Sequence, residues 1–144
     1  MTLATDPLTA RPTRSERMLE PVLALGGLAV ATLALHVRDP HVAHSWGVCP
    51  LYALTGVYCP GCGALRGVND LSDGHVGAAA SSNLLLVLAL PFAILLLARW
   101  TRGRWTGREV ALVPTLPRGV TVGLVALVVV FSVVRNLPGS PLAP

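Results

Sequence analysis

Residues 77–98 read GAAASSNLLLVLALPFAILLLA, with no charged side chain from Gly77 to Ala98. An α-helix rises about 1.5 Å per residue and needs roughly 20 apolar residues to cross a hydrocarbon layer about 30 Å thick, so this run is long enough to span a bilayer. Its centre, Leu84–Leu97, is dominated by Leu, Ala, Val and Ile, and Pro91 within it predicts a kink of the kind membrane helices tolerate. Two shorter runs flank it. Pro21–Val37 carries Gly26, Gly27 and, near its end, His36, and Pro21 suits a helix start, where its missing N–H costs nothing. Gly119–Val134 lies between Arg118 and Arg135, whose long side chains can reach outward and extend a short span.

Composition agrees. Of 144 residues, 53% are hydrophobic and 12% charged, against about 25% charged in a soluble domain. The mean hydropathy is +0.64. The reading is an all-α integral membrane protein of three transmembrane helices, with one domain over 21–136 and helices at 21–37, 77–98 and 119–134.

The formal charge is +4 and every basic residue is an arginine. The arginines flank apolar runs and form no stripe with interleaved aromatics, so the basic balance points to the lipid bilayer and away from nucleic acid. Arg99, Arg102, Arg104, Arg108 and Arg118 face only Glu109 in the segment 99–118, which the positive-inside rule places in the cytoplasm. Three crossings then put the N-terminal tail, 1–20, on the same side, and its Arg11, Arg14 and Arg17 agree. That tail, with Pro7 and Pro12, reads as disordered. A cleaved signal peptide is the rival reading, but His36, Arg38, Asp39 and His41 crowd the exit of the first run, where a small-residue cleavage site would stand. Residues 38–76 and the tail 137–144 are then outside. Trp100 and Trp105 stand where an interfacial aromatic belt would form.

The outer loop holds all three cysteines, Cys49, Cys59 and Cys62. Residues 47–58 (GVCPLYALTGVY) are apolar but too short and too broken by Pro and Gly to span, which suits a re-entrant or interfacial segment. After Cys59-Pro60-Gly61-Cys62, the positions Ala64, Val68, Leu71, His75 and Ala78 recur at helical spacing, with Arg66, Asn69, Asp70 and Asp73 opposite. That pattern predicts a short amphipathic helix lying on the membrane surface, broken near Gly74.

Three chemistries suit the cysteines. Two could close a disulfide that ties the loop together, as is ordinary in an oxidising compartment. All three could bind zinc or iron, with His41, His44 or His75 as fourth ligand; a single C-x-x-C pair is half of the usual signature. Or Cys59 and Cys62 could exchange disulfides with a partner, although no thioredoxin-like pattern or second cysteine pair accompanies them. There is no Walker or dinucleotide glycine loop, no zinc-protease H-E-x-x-H, and no ionisable residue in mid-membrane where a transport pathway would need one. Glycine pairs such as Gly26-Gly27 permit close helix association, with a second copy or another membrane protein.

Cys49-Pro50, then Thr55-Gly56, then Cys59-Pro60-Gly61-Cys62-Gly63 and Arg66 resembles the bacterial membrane-protein family known as domain of unknown function 2752. The family pattern continues through Leu71, Gly74, Ala78, Ala79 and Asn83, which opens a long apolar helix, and a last helix ending in Arg135-Asn136 is similar too. Leu65 stands where the family commonly has Thr, and Leu84 where it commonly has Pro. The resemblance implies a small multi-pass protein of a bacterial cytoplasmic membrane and no assigned activity. A structural or partner-docking role for the cysteine loop, held by a disulfide or a metal, is the expectation; thiol redox or metal handling at Cys59-Cys62 is the alternative.

Overall fold

The computed structural model describes residues 13–143. In chain order these form α1 (Arg14–Val37), α2 (Pro50–Thr55), α3 (Ala64–Ser72), α4 (Val76–Thr106) and α5 (Arg118–Arg135), with no strand among the described residues. Three of the helices, α1, α4 and α5, are long and apolar enough to cross a membrane. The all-helical, three-span architecture is therefore present.

The boundaries shift where capping outweighs hydropathy. The tail expected to be disordered through residue 20 is helical from Arg14, because Thr13 and Glu16 form a capping box that satisfies free N–H groups at both ends of the turn. Glu16 accepts from the Thr13 N–H at 2.7 Å, and Pro21 consequently lies inside α1 rather than at its start. Residues 1–12 lie outside the described part. At the far end α4 continues to Thr106, so Arg99, Arg102 and Arg104 stand on the helix instead of in the loop, and Gly107 (φ 75°) closes it in the left-handed conformation.

The interruption of α4 falls not at Pro91 but at Asn83, whose extended backbone (φ −161°, ψ 95°) separates a short first segment from the apolar span. The Asn83 Oδ1 accepts from the Leu86 N–H at 2.9 Å and so caps the span from within.

The orientation of α3 follows the expected one at Arg66 and Asp73, which are exposed, and at the half-buried Val68 and Leu71, but departs from it at two positions. Asn69 and Asp70, expected on the solvent side, are buried together with Gly67, while the apolar Leu65 is exposed. The reason lies in the neighbours. The carbonyl of Leu35, in the last turn of α1, has no helical donor left and accepts from Asn69 Nδ2 at 3.3 Å. Ser82 donates to Asp70 at 3.0 Å from α4. Gly67 lets the helices close: a Cβ there would stand 3.0 Å from Leu86 Cδ2. These contacts hold α3 against both α1 and α4.

The two long helices α1 and α4 run antiparallel. At one end Arg104 pairs with Glu20, Arg17 Nε donates to the Arg104 carbonyl at 3.2 Å, and the Arg14 guanidinium lies 4.0 Å from the Trp105 ring centre. At the other end His36 Nδ1 meets Asn69 Nδ2 at 3.3 Å. Both arginine-rich segments thus share one end of the helices, and the cysteine loop sits at the other. The buried hydrophobic set is small (Leu35, Ala79, Trp100, Phe131), whereas Leu88, Phe92, Val129 and their like face outward, as a lipid-solvated surface requires.

The cysteine cluster and its polar clamp

Cys49 stands immediately before α2, whose first residue is Pro50 and whose exit is set by Gly56 in the left-handed conformation (φ 70°). The Thr55 hydroxyl donates to the Leu51 carbonyl at 2.6 Å and accepts from the Val57 N–H at 3.2 Å, turning the chain back. The chain then reaches Cys59-Pro60-Gly61-Cys62, a turn closed by Cys62 N–H to the Cys59 carbonyl at 3.1 Å. Gly63 (φ 78°) starts α3, a conformation glycine adopts without strain.

This path brings together three sulfurs that are ten and three residues apart. Cys59 Sγ lies 3.5 Å from Cys49 Sγ and 3.1 Å from Cys62 Sγ, and all three atoms lie within 4.8 Å of one another. None is in a disulfide, and each is half-buried. The Tyr52 N–H in the first turn of α2 pulls the Cys49 thiol down to about 7, whereas burial pushes Cys62 up to about 12. Tyr52 and Tyr58 stack at 4.5 Å beside the cluster, and hydrogen bonding to Tyr52 raises the Tyr58 phenol above its ordinary value.

Behind the turn, three polar side chains hold its backbone. Arg135, in the last turn of α5, is wholly buried; Nη1 donates to the carbonyls of Cys59 (3.0 Å) and Pro60 (3.3 Å), and Nη2 to that of Cys62 (3.1 Å). Asn83 Nδ2 donates to the Pro60 and Cys62 carbonyls at 2.9 and 3.0 Å. The Asn136 amide accepts from the Tyr58 N–H at 2.8 Å and donates to the Tyr58 carbonyl at 2.9 Å. Arg135, expected to reach outward and extend a short span, instead turns inward onto carbonyls of the cysteine turn, and Asn136 joins it there. α5 joins the rest chiefly through this clamp, since the helix packing itself is among α1, α3 and α4.

The histidines are placed otherwise. None of His41, His44 and His75 joins the sulfur group among the described residues. His41 lies between two carboxylates, Nδ1 3.0 Å from Asp39 and Nε2 3.2 Å from Asp70. His75 precedes α4 and donates its backbone N–H to the Asp70 carbonyl at 2.8 Å. His44 lines a half-open cavity of about 510 Å³ that it shares with Cys49, Cys62, His41, Trp46 and Arg66. Arg66 is exposed there and makes no hydrogen bond or ion pair among the described residues. Sequence reasoning missed Tyr52, Tyr58 and the inward Asn69; for the tyrosines, adjacency to Cys49 and Cys59 was the available signal.

What the cluster can do follows from its donors. Three convergent sulfurs suit a soft divalent ion, and thiols in mutual contact also suit disulfide exchange. Residues 49–97 match the family model described as protein of unknown function (DUF2752), the family that the sequence resembles. No curated protein and no solved structure matches the chain.

Proposed function

We propose that Cys49, Cys59 and Cys62, within the stretch that matches the DUF2752 family model, form a three-thiolate centre for zinc or iron in a protein of three membrane-spanning helices. It clasps the outer end of the helices as a structural and partner-docking element. The observation that carries the reading is Arg135. It is a buried cation whose hydrogen bonds all go to neutral carbonyls of the cysteine turn, and its Nε has no partner among the described residues. A buried charge of this kind needs an opposite charge nearby. A divalent ion with three thiolates carries one net negative charge and supplies it permanently, whereas without the ion only the Cys49 thiolate, half-formed near pH 7, supplies one.

A thiol–disulfide reading draws on Cys59, which touches both other sulfurs and can pair with either. The centre lies on the non-cytoplasmic face of a bacterial cytoplasmic membrane in this proposal; the support is that both arginine-rich segments sit at the opposite end. The test is metal content and free-thiol count, measured together on protein purified in mild detergent without reductant. Near-stoichiometric zinc or iron, lost in Cys62→Ser, is the expected result. No metal with one free thiol overturns the reading in favour of a disulfide.

A further inference from the structure

The sulfur group offers three donors, and a soft divalent ion in a tetrahedral site takes four. Among the described residues no histidine stands in the fourth position. What borders the cluster instead is the half-open cavity of about 510 Å³, within the range of small-molecule pockets. Two of the three cysteines, Cys49 and Cys62, line it, and Arg66 stands on its wall with a free guanidinium.

We propose that the fourth coordination position is filled from solution by a small thiol carrying an anionic group, which enters through this cavity and pairs its charge with Arg66. The inference rests on the three-thiolate reading above. The donor class follows from the ion, since one that prefers sulfur accepts a fourth thiolate readily. The anionic class follows from Arg66, which is the charged wall residue without an acidic partner; His41 is already engaged by Asp39 and Asp70. In the binding step the entering thiol loses its proton to solvent, its sulfur bonds to the ion, and a coordinated water leaves. No electron is transferred.

The experiment uses full-length protein in detergent, reduced with a phosphine, desalted without oxygen and loaded with Co²⁺, whose visible bands report its ligands. Mercaptoacetate and 2-mercaptoethanol are then titrated separately. The expected result is a saturable band shift with both thiols, about fivefold tighter for mercaptoacetate, the upper range for an exposed charge pair. In Arg66→Gln, at matched Co²⁺ load, that preference is expected to vanish. Bands that ignore both thiols, thiols that strip the Co²⁺ out, or a spectrum altered by His44→Gln before any thiol is added would each overturn the inference. In those cases Co²⁺ still binds initially and the three-thiolate reading stands. Failure to take up Co²⁺ at all is the distinct outcome that removes both.

Discussion

Arg135 Nη2 donates to the carbonyl oxygen of Cys62 at 3.1 Å, joining the last turn of α5 to the cysteine turn across 73 positions of chain. Asn83 donates to the same oxygen from α4, so two membrane spans converge on one peptide group. The cysteine turn is therefore where α4 and α5 meet, and its geometry depends on groups remote in sequence.

Removing the guanidinium should detach α5. Arg135→Met strips one donor each from the carbonyls of Cys59, Pro60 and Cys62, at a cost of about 3 kcal/mol, read as a lower melting midpoint in detergent. Arg135→Lys should recover only part of the loss, because an ammonium keeps the charge without the planar fork. Full recovery by lysine would show that charge alone matters.

Asn83 performs two tasks that substitutions can separate. Asn83→Asp keeps an acceptor for the Leu86 N–H but loses both donors to the turn and adds a buried charge. It should be more destabilising than Asn83→Ala, which costs about 1–2 kcal/mol as a lost cap. If Asp proves the milder change, the retained cap and the pairing of the carboxylate with Arg135 outweigh the burial of the charge.

Gly103 is a steric lock near the other end of α4. A Cβ there would stand 2.6 and 2.8 Å from Val110 Cγ2 and Cβ, too close for either to stay in place. Gly103→Ala should therefore destabilise by about 1–3 kcal/mol as overpacking does. Adding Val110→Ala should restore most of that loss, a coupling that a double-mutant cycle of thermal melts would detect.

The thiols should separate by pH. Cys49, held down at about 7, gains thiolate as pH rises through neutrality, while Cys62, pushed up to about 12, stays protonated. In reduced, metal-free protein, iodoacetamide labelling of Cys49 should climb between about pH 6 and 8 and then level off, with Cys62 silent across that range. Peptide mass mapping reads both rates, and equal rates would contradict the geometry. The same sign makes bound metal easier to release as pH falls below 7, since protons then compete for Cys49.

A reporter fused after Ser140 should be active on the non-cytoplasmic side, and a cysteine placed at Ser15 should resist membrane-impermeant reagents added from that side. Activity of the fusion in the cytoplasm would reverse the proposed polarity.

The three spans and the all-helical class were legible in the sequence because crossing a bilayer depends on contiguous composition, and 77–98 alone shows it. The gathering of all cysteines in one loop was also visible as pattern, and the family resemblance implied that Asn83 opens a span. Helix ends were less so, since Thr13 and Glu16 extend α1 through two hydrogen bonds that hydropathy does not register. What only the tertiary structure decided is which groups meet. Asn69 turns inward because the end of α1 offers it a free carbonyl, and Arg135 is buried because the cysteine turn presents carbonyls to it from 73 to 76 positions away. Likewise, His41 is held away from the sulfurs by Asp39 and Asp70. Such pairings depend on the spatial arrival of distant segments, which no local periodicity encodes.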